Sequence, residues 1–249
     1  MAQQLLPQTG VEALADGRGA SPSEWDERVE SWHEVAASPA FQRVARRVRE
    51  LADPCAGDRV VDLGAGTGLL TLALAGEVEW VVAVDSSAAM LSRLSEQAEE
   101  GGVANVESVV ADLRSLPLAD QSVTLAVSSY AFHHLDDAGK QLALSEARRV
   151  LVPGGRLVVC DMMFSLSLAP RDRAIIASKL RLLTRRGPAG LARITRNMWR
   201  VVRGRWEQPA PPQRWREMLE QRHFVDVVVL PLEHEAGIAL ARRPQLGRG

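Results

Sequence analysis

The chain has 249 residues, of which 46% are hydrophobic and 24% charged, with 30 Lys or Arg residues against 31 Asp or Glu. This composition belongs to a globular chain that buries a sizeable core, and it excludes disordered, collagen-like and fibrous proteins. No apolar run reaches the roughly 20 residues of a membrane span, and the first ten residues lack the features of a signal peptide. We therefore expect a cytoplasmic protein.

The N-terminal region divides into a leader and a helical segment. Residues 1–22 show no hydrophobic periodicity and are expected to be flexible, whereas residues 23–249 are expected to form one domain. A helix start at residues 21–24 and a break at Asp53 and Pro54 predict helices across residues 23–53.

Short apolar runs then alternate with helical patterns. The runs occupy residues 60–64, 80–85, 106–112, 122–129 and 155–162. Runs that are apolar on both faces are typical of parallel strands covered by helices on each side. The sequence therefore predicts an α/β fold of the doubly wound, Rossmann-like type, with a helix at residues 138–150 and a Pro-Gly-Gly turn before the fifth strand.

The last third of the chain interrupts this alternation. Residues 165–222 are helical in pattern and rich in arginine, and we interpret them as an insertion that forms a helical cap together with residues 23–53. Residues 224–243 predict two strands joined at 233–237, an antiparallel terminal hairpin at one sheet edge. The whole sheet should then have seven strands, mostly parallel.

A glycine-rich turn follows the first predicted strand. Residues 64–68 read Gly-Ala-Gly-Thr-Gly, which differs from the GxGxxG spacing of dinucleotide sites, and Asp62 precedes them. Glycines let a ligand approach the backbone at the carboxyl end of a strand. Asp62 would repel a diphosphate and suits a cationic ligand, which disfavours a nicotinamide-dependent oxidoreductase.

Two more carboxylates lie at the ends of the next two strands. Asp85 can accept hydrogen bonds from both hydroxyls of a ribose, and Asp112 can accept one from an adenine amino group. Three acids around a glycine turn describe a pocket for ribose and adenine joined to a cationic tail without phosphate. S-adenosylmethionine fits this description, whereas NAD and ATP do not.

The segments at 60–68, 83–91, 111–135 and 146–162 carry a family resemblance. On these residues the chain resembles the class I S-adenosylmethionine-dependent methyltransferases, and most of all the small-molecule group similar to ubiquinone/menaquinone-biosynthesis methyltransferases. The resemblance implies methyl transfer from S-adenosylmethionine to an O, N or activated C atom of a small molecule. It also implies that the leading helices fold over the site, which makes Trp25, Trp32 and His33 lid candidates beside the alternative of ordinary packing.

The predicted cofactor-binding residues combine the residue chemistry with this resemblance. They are Asp62, Gly64, Ala65, Gly66, Asp85, Ser86, Met90, Ala111, Asp112, Leu113 and Ser128. The glycines would approach the methionine and ribose portions, Asp85 the ribose, and the residues around Asp112 the base.

The candidate catalytic residues are His133 and His134, which follow the fourth strand. An imidazole exchanges protons near neutral pH, so either residue could deprotonate a phenol, an amine or an enolisable carbon. The alternative is that the pair caps the strand end or bonds locally. Asp161, at the end of the fifth strand, either binds an acceptor hydroxyl or caps the next loop.

Missing motifs narrow the acceptor. The chain lacks the Pro-Pro-Tyr/Phe loop of enzymes that methylate nucleobase amino groups, a Pro-Cys nucleophile and an acidic triad for magnesium. We therefore expect a small-molecule acceptor, anionic or lipophilic, and no metal. The sequence leaves the oligomeric state open.

An arginine-rich segment leaves a second function open. Residues 171–205 hold eleven Lys or Arg and one acid, and Arg193, Arg196, Arg200 and Arg203 recur at helical spacing. Such a face suits an anionic substrate, an acidic membrane or RNA, or it is a solvated face neutralised by the acidic remainder. Sparse aromatic residues for base stacking disfavour single-stranded RNA, and we do not expect a nucleic-acid partner. The alternative function is a non-catalytic cofactor-binding or nucleic-acid-binding regulatory module.

Overall fold

The structure is a computed structural model that describes residues 22–165, 208–232 and 235–245, together with Arg173 and Ala177. The predicted leader, apart from Pro22, lies outside the described residues. So do the arginines predicted to form a cationic face and most of the predicted insertion.

A seven-stranded sheet forms the centre of the molecule. Its strands are β1 (Arg59–Leu63), β2 (Trp80–Asp85), β3 (Val106–Val110), β4 (Val123–Ser129), β5 (Leu151–Met162), β6 (Val225–Pro231) and β7 (Ala236–Arg242). The strand order is β3-β2-β1-β4-β5-β7-β6, with β1 to β5 parallel and β7 antiparallel to both of its neighbours. This topology confirms the predicted doubly wound sheet and its terminal hairpin.

Seven α-helices are described around this sheet. They are α1 (Pro22–Asp26), α2 (Val29–Ala36), α3 (Pro39–Ala52), α4 (Leu69–Ala75), α5 (Ala88–Glu100), α6 (Asp137–Val150) and α7 (Pro212–Gln221). A 3-10 turn, Phe132–His134, follows β4. The helix α3 ends at Ala52, and the next residue, Asp53, is in the left-handed region at φ 48° before Pro54, so the predicted break is confirmed.

The side chains of β1 explain why both sheet faces are apolar. Val61 and Leu63 pack in the core cluster that contains residues of α6 and α7, whereas Val60 packs with residues of α3 and α4. Successive side chains of a strand point to opposite faces, so a strand covered on both sides needs apolar residues throughout. Asp62 is the buried polar residue of this strand and departs from that pattern.

The fifth strand corrects the sequence prediction. It begins at Leu151, four residues earlier than expected, and the predicted turn is an irregularity within the strand. Leu151 pairs with Val123, whereas Arg156 pairs with Leu125, and Gly154 has a φ of 80°. Hydrogen bonds between Arg243 and residues 154 and 155 hold the extra residues in the sheet, so pairing on both sides overrides the local turn tendency.

Two smaller boundaries also differ. The third strand ends at Val110, so Asp112 lies in the loop beyond it, and β7 begins at Ala236, inside the segment predicted as the hairpin connection. Within the described ranges, no helix is long and apolar enough to cross a membrane. The same residues contain no group of three or more His, Cys, Asp or Glu that could hold a metal ion.

Candidate active site

The glycine turn lies at the carboxyl end of β1, beside the end of β2. Backbone N–H groups of Gly64 and Ala65 both donate to the Val84 carbonyl, at 2.8 and 3.0 Å. Gly64, Gly66 and Gly68 have φ values of 78°, 53° and 90°, a region that side-chain-bearing residues rarely adopt. The turn is thus fixed to the neighbouring strand in a backbone form that favours glycine.

Two neighbouring elements close over this turn. A Cβ added to Gly64 would overlap the Cβ of Ala131 in the loop after β4. A Cβ added to Gly66 would lie 3.0 Å from Nε1 of Trp32 in α2. The loop after β4 and the leading helices therefore meet at the predicted cofactor position.

The carboxylate of Asp85 is held by two backbone amides. Gly66 N–H donates to Oδ2 at 2.8 Å and Ser87 N–H donates to Oδ1 at 2.9 Å. Burial raises the pKa of Asp85, while these backbone hydrogen bonds act in the opposite direction. Each carboxylate oxygen accepts more than one hydrogen bond, so Asp85 retains capacity for a pair of hydroxyls.

Asp62 lies beneath the turn and is 1% exposed. Thr71 donates its hydroxyl to Oδ2 at 2.7 Å, whereas Oδ1 has no hydrogen-bond partner in the described part of the chain. Burial raises the pKa of Asp62 to about 7, and the nearby charge of Asp85 adds to this. A buried carboxyl with an unpartnered oxygen favours a cationic or hydrogen-bond-donating ligand.

This carboxyl gives a testable pH effect. The pKa of Asp62 is about 7 in the folded chain and 3.8, the ordinary value, in the unfolded chain. The folded state therefore holds the proton more tightly, and the free energy of unfolding falls as pH rises between these two values. Asp62→Asn should remove this slope, so that the variant gains about 2 to 3 kcal/mol relative to wild type between pH 5 and pH 8. Urea unfolding of both proteins at the two pH values measures the effect.

Asp112→Asn is the matched control for this experiment. Burial raises the pKa of Asp112, but hydrogen bonds from Arg114 outweigh burial and lower the pKa below its ordinary value. The stability that Asp112 contributes is therefore fully present above its ordinary pKa and is lost only as pH falls below it. The control should show a constant difference from wild type between pH 5 and pH 8. A constant difference for Asp62→Asn as well would contradict the raised pKa.

The loop after β4 carries the two candidate catalytic histidines. Nδ1 of His133 lies 2.6 Å from Oδ1 of Asp161, and the two residues are 5% and 0% exposed. His134 takes a different environment, because its ring packs against that of Trp25 with centroids 4.8 Å apart. Burial lowers the pKa of His134 well below its ordinary value, and the neighbouring His133 acts in the same direction.

Six aromatic side chains contact one another in a closed circuit above this loop. We name them the aromatic set: Trp25, Trp32, Phe41, Tyr130, His133 and His134. Five of the six neighbouring pairs have ring centroids 4.8 to 6.2 Å apart, within the usual range for aromatic pairs, and the two histidine rings are 4.0 Å apart. The set joins α1, α2 and α3 to the end of β4.

Comparison with known proteins identifies the fold that carries these residues. Residues 60–155 match a family model described as a methyltransferase domain, and this segment contains the glycine turn, Asp85 and both histidines. Over residues 60–155 the chain is therefore similar to a methyltransferase domain.

Individual relatives agree with this domain assignment. A demethylmenaquinone methyltransferase of Corynebacterium efficiens is 39% identical over 125 residues, which are 50% of this chain and 50% of that protein. A SAM-dependent methyltransferase from Aquifex aeolicus superposes with a TM-score of 0.61 at 18% identity, covering 90% of this chain and 98% of that one. The [4+2]-cyclase SpnF gives a TM-score of 0.68 at 17% identity, covering 96% and 100%.

These comparisons cover part of the curated relatives and establish the fold. The chain spans about half the length of the curated relatives it matches. The solved structures share less than a quarter of its sequence, so their likeness establishes the fold alone.

Several predicted cofactor residues surround the glycine turn. Leu113 has a methyl group 3.9 Å from the position of a Cβ on Gly64. Met90 is buried at the start of α5, where its N–H donates to Ser87, whereas Ser86 is exposed. Ala65 is buried, and Ala111 donates its N–H to the Asp85 carbonyl.

Two predicted residues have other partners in this structure. Arg114 donates to the Asp112 carboxylate through its side chain, at 2.6 to 3.1 Å, and through its backbone N–H. The hydroxyl of Ser128 donates to the Leu63 carbonyl at 2.6 Å and thereby ties β4 to β1. The Ser128 side chain is therefore structural here, which leaves only its backbone for the predicted ligand contact.

The sequence analysis missed three residues of this region. Phe41 and Tyr130 belong to the aromatic set, and Lys140 is a buried cation behind the histidine loop. Tyr130 could have been found, since it directly follows β4. Phe41 and Lys140 come from helices whose packing brings them to the site, and nothing in their local sequence marks them.

Proposed function

We propose that this chain transfers a methyl group from S-adenosylmethionine to an O, N or activated C atom of a small molecule. The observation that carries the proposal is one contact. The glycine turn packs directly against the loop that carries His133. Backbone amides of Gly66 and Ser87 hold the Asp85 carboxylate beside this turn. A donor held at the turn would thus lie beside a potential base.

The residues present fit S-adenosylmethionine. Oδ1 of Asp62 is buried without a partner in the described chain, as expected for a carboxylate beside a cationic or amino group. Asp85 offers acceptor capacity for ribose hydroxyls, and Gly64 and Gly66 expose backbone where side chains would intrude. When bound, the cofactor supplies a methyl group on a sulfonium. The acceptor atom would bond to this methyl group while the carbon–sulfur bond breaks and the sulfur leaves as a neutral thioether.

We assign the base role to His133 rather than His134. His133 has a buried carboxylate partner in Asp161 that can stabilise a protonated ring. His134 has no such partner among the described residues, and its pKa is lowered well below the ordinary value. His133 would take the acceptor's proton, while the surrounding residues exclude water and orient the reactants.

The acceptor class follows from the aromatic set. A wall of packed rings binds a flat, lipophilic molecule better than a charged one, since ring contacts gain by excluding water. The relatives named demethylmenaquinone methyltransferases support this choice, because their name states an acceptor of that class. We therefore favour a lipophilic aromatic acceptor over the anionic one that the sequence left open.

The rival reading is a module that binds the cofactor without methylating anything. The matched fold is compatible with other activities, since one solved neighbour is called a [4+2]-cyclase. Incubation of the purified chain with deuteromethyl-labelled cofactor and a panel of phenols, quinols and amines separates the two. A labelled product detected by mass spectrometry supports methyl transfer, whereas cofactor binding without any labelled product supports the rival.

Cofactor binding is tested by a matched pair of carboxylate variants. Asp85→Ala removes two hydrogen bonds to the ribose and should weaken S-adenosylhomocysteine binding more than tenfold, which is about 1.4 kcal/mol or more. Asp112→Ala should weaken it less, by about threefold or under, because Arg114 already occupies that carboxylate. Isothermal titration calorimetry measures both affinities. Equal losses, or an unchanged affinity for Asp85→Ala, would argue against the assignment.

A further inference from the structure

The contact between His133 and Asp161 is a buried polar pair beside the site. The two side chains are 6% and 1% exposed, and the Nδ1 to Oδ1 distance of 2.6 Å is at the short end for a charge-assisted hydrogen bond. A carboxylate only accepts hydrogen bonds, so the proton of this contact lies on Nδ1 when Asp161 is ionised.

Three features describe the surroundings of the Asp161 carboxylate. The backbone N–H of Met162 donates to the same Oδ1 at 2.7 Å, which fixes the carboxylate at the end of β5. Lys140 is buried nearby, and burial lowers its pKa while the charge of Asp161 acts in the opposite direction. Oδ2 of Asp161 has no partner in the described chain, so capping the loop does not account for the whole carboxylate.

The histidine loop is itself held from behind. Gln208 donates its N–H to the His133 carbonyl at 2.7 Å, and Lys140 donates to the Gln208 carbonyl at 2.7 Å and to that of Leu135. The ring of His133 is thus constrained by its backbone on one side and by Asp161 on the other. Its remaining nitrogen, Nε2, has no hydrogen bond to any described residue.

From this geometry we infer that Asp161 is a positioning residue that holds neutral His133 as the Nδ1–H tautomer, with the Nε2 lone pair free to accept a proton. The inference rests on the proposed function for its catalytic consequence, although the tautomer itself does not. In the reaction, Nε2 takes the proton that the acceptor atom loses. The imidazolium so formed keeps its Nδ1–H bond to Asp161, whose negative charge balances it.

The tautomer is measured directly by two-dimensional 15N–1H NMR of the full chain without ligand. We expect the His133 ring to show a protonated Nδ1 and an unprotonated Nε2 at a pH where the ring is neutral. A resonance pattern with the proton on Nε2 would overturn the inference, whatever the activity of the protein.

Asp161→Asn tests the cause. An asparagine can present its N–H₂ group to Nδ1, which removes the preference for a proton there, so the Nε2–H tautomer should gain population. In turnover with an acceptor identified by labelled methyl transfer, kcat should fall at least tenfold while the acceptor KM and the S-adenosylhomocysteine affinity change less than twofold. An unchanged tautomer together with an unchanged kcat would refute the positioning role.

Asp58→Asn serves as the control for loss of a buried carboxylate. Asp58 is 3% exposed and bonds Thr124 and Arg156 at the opposite, amino-terminal end of the strands. This variant should leave the His133 tautomer and kcat unchanged. If Asp161→Asn does not fold, the wild-type spectrum alone still decides the inference. Failure of the proposed function would instead appear as the absence of any labelled methyl product, with or without cofactor binding in calorimetry, and with the tautomer unaffected.

Discussion

His133→Ala is expected to lower kcat at least 100-fold while S-adenosylhomocysteine affinity stays within twofold of wild type. General-base catalysis contributes about 100-fold to 10,000-fold, and His133 is the histidine that a buried carboxylate supports. The predicted cofactor-binding residues Gly66 and Asp85 lie at the ends of β1 and β2, so removing this ring should leave them in place. Steady-state kinetics with the labelled-methyl assay and calorimetry give the two numbers.

His134→Phe is the matched control for His133→Ala. Phenylalanine preserves the ring that packs on Trp25 but has no proton-accepting nitrogen. We expect kcat to fall less than fivefold, with any change confined to the acceptor KM. If kcat falls as much for His134→Phe as for His133→Ala, the assignment of the base to His133 is wrong. Because His133→Ala leaves Asp161 buried without its partner, His133→Gln is included to separate lost folding from lost chemistry.

Gly64→Ala is expected to destabilise the fold by about 2 to 5 kcal/mol. Two costs add here, namely about 1 to 2 kcal/mol for a side chain at a φ of 78° and about 1 to 3 kcal/mol for forcing a methyl group into a packed site. The new methyl would overlap the Cβ of Ala131, so the loop that carries the histidines must move. Chemical denaturation measures the free energy of unfolding, and kcat should fall with it.

Gly57→Ala is the control glycine. A Cβ at position 57 would meet no heavy atom within 4 Å, and this residue is not in the left-handed region. We expect its stability to stay within about 1 kcal/mol of wild type, or to rise slightly as the unfolded chain loses freedom. If Gly64→Ala were equally harmless, the glycine turn would not be packed against the loop after β4.

The fold was predictable because its signals are local and repeated. Runs such as residues 80–85 are apolar throughout, and only a strand covered by helices on both faces needs that pattern. The exception at β5 shows the limit of such signals. Its Pro-Gly-Gly segment has the chemistry of a turn, yet hydrogen bonds to Arg243, directly after β7, place it in the sheet.

The candidate site divides in the same way. Gly64, Gly66 and Asp85 were predictable, because strand ends and glycine spacing place them at one edge of a parallel sheet. Sequence also pointed to His133 and His134 together, but it gave no reason to prefer one of them. The distinction arose from Asp161 and Trp25, which come from separate elements of the chain.

By itself the sequence determined a doubly wound sheet, and it predicted a phosphate-free nucleoside pocket at the β1 and β2 ends with a histidine pair after the fourth strand. Only the tertiary structure decided which histidine has a carboxylate partner. It also showed that Arg114 donates hydrogen bonds to Asp112, and that rings from three helices surround the loop after β4. The physical reason is range. Strand periodicity and turn chemistry act over a few residues, whereas burial, ion pairing and ring packing depend on which distant segments the fold brings together.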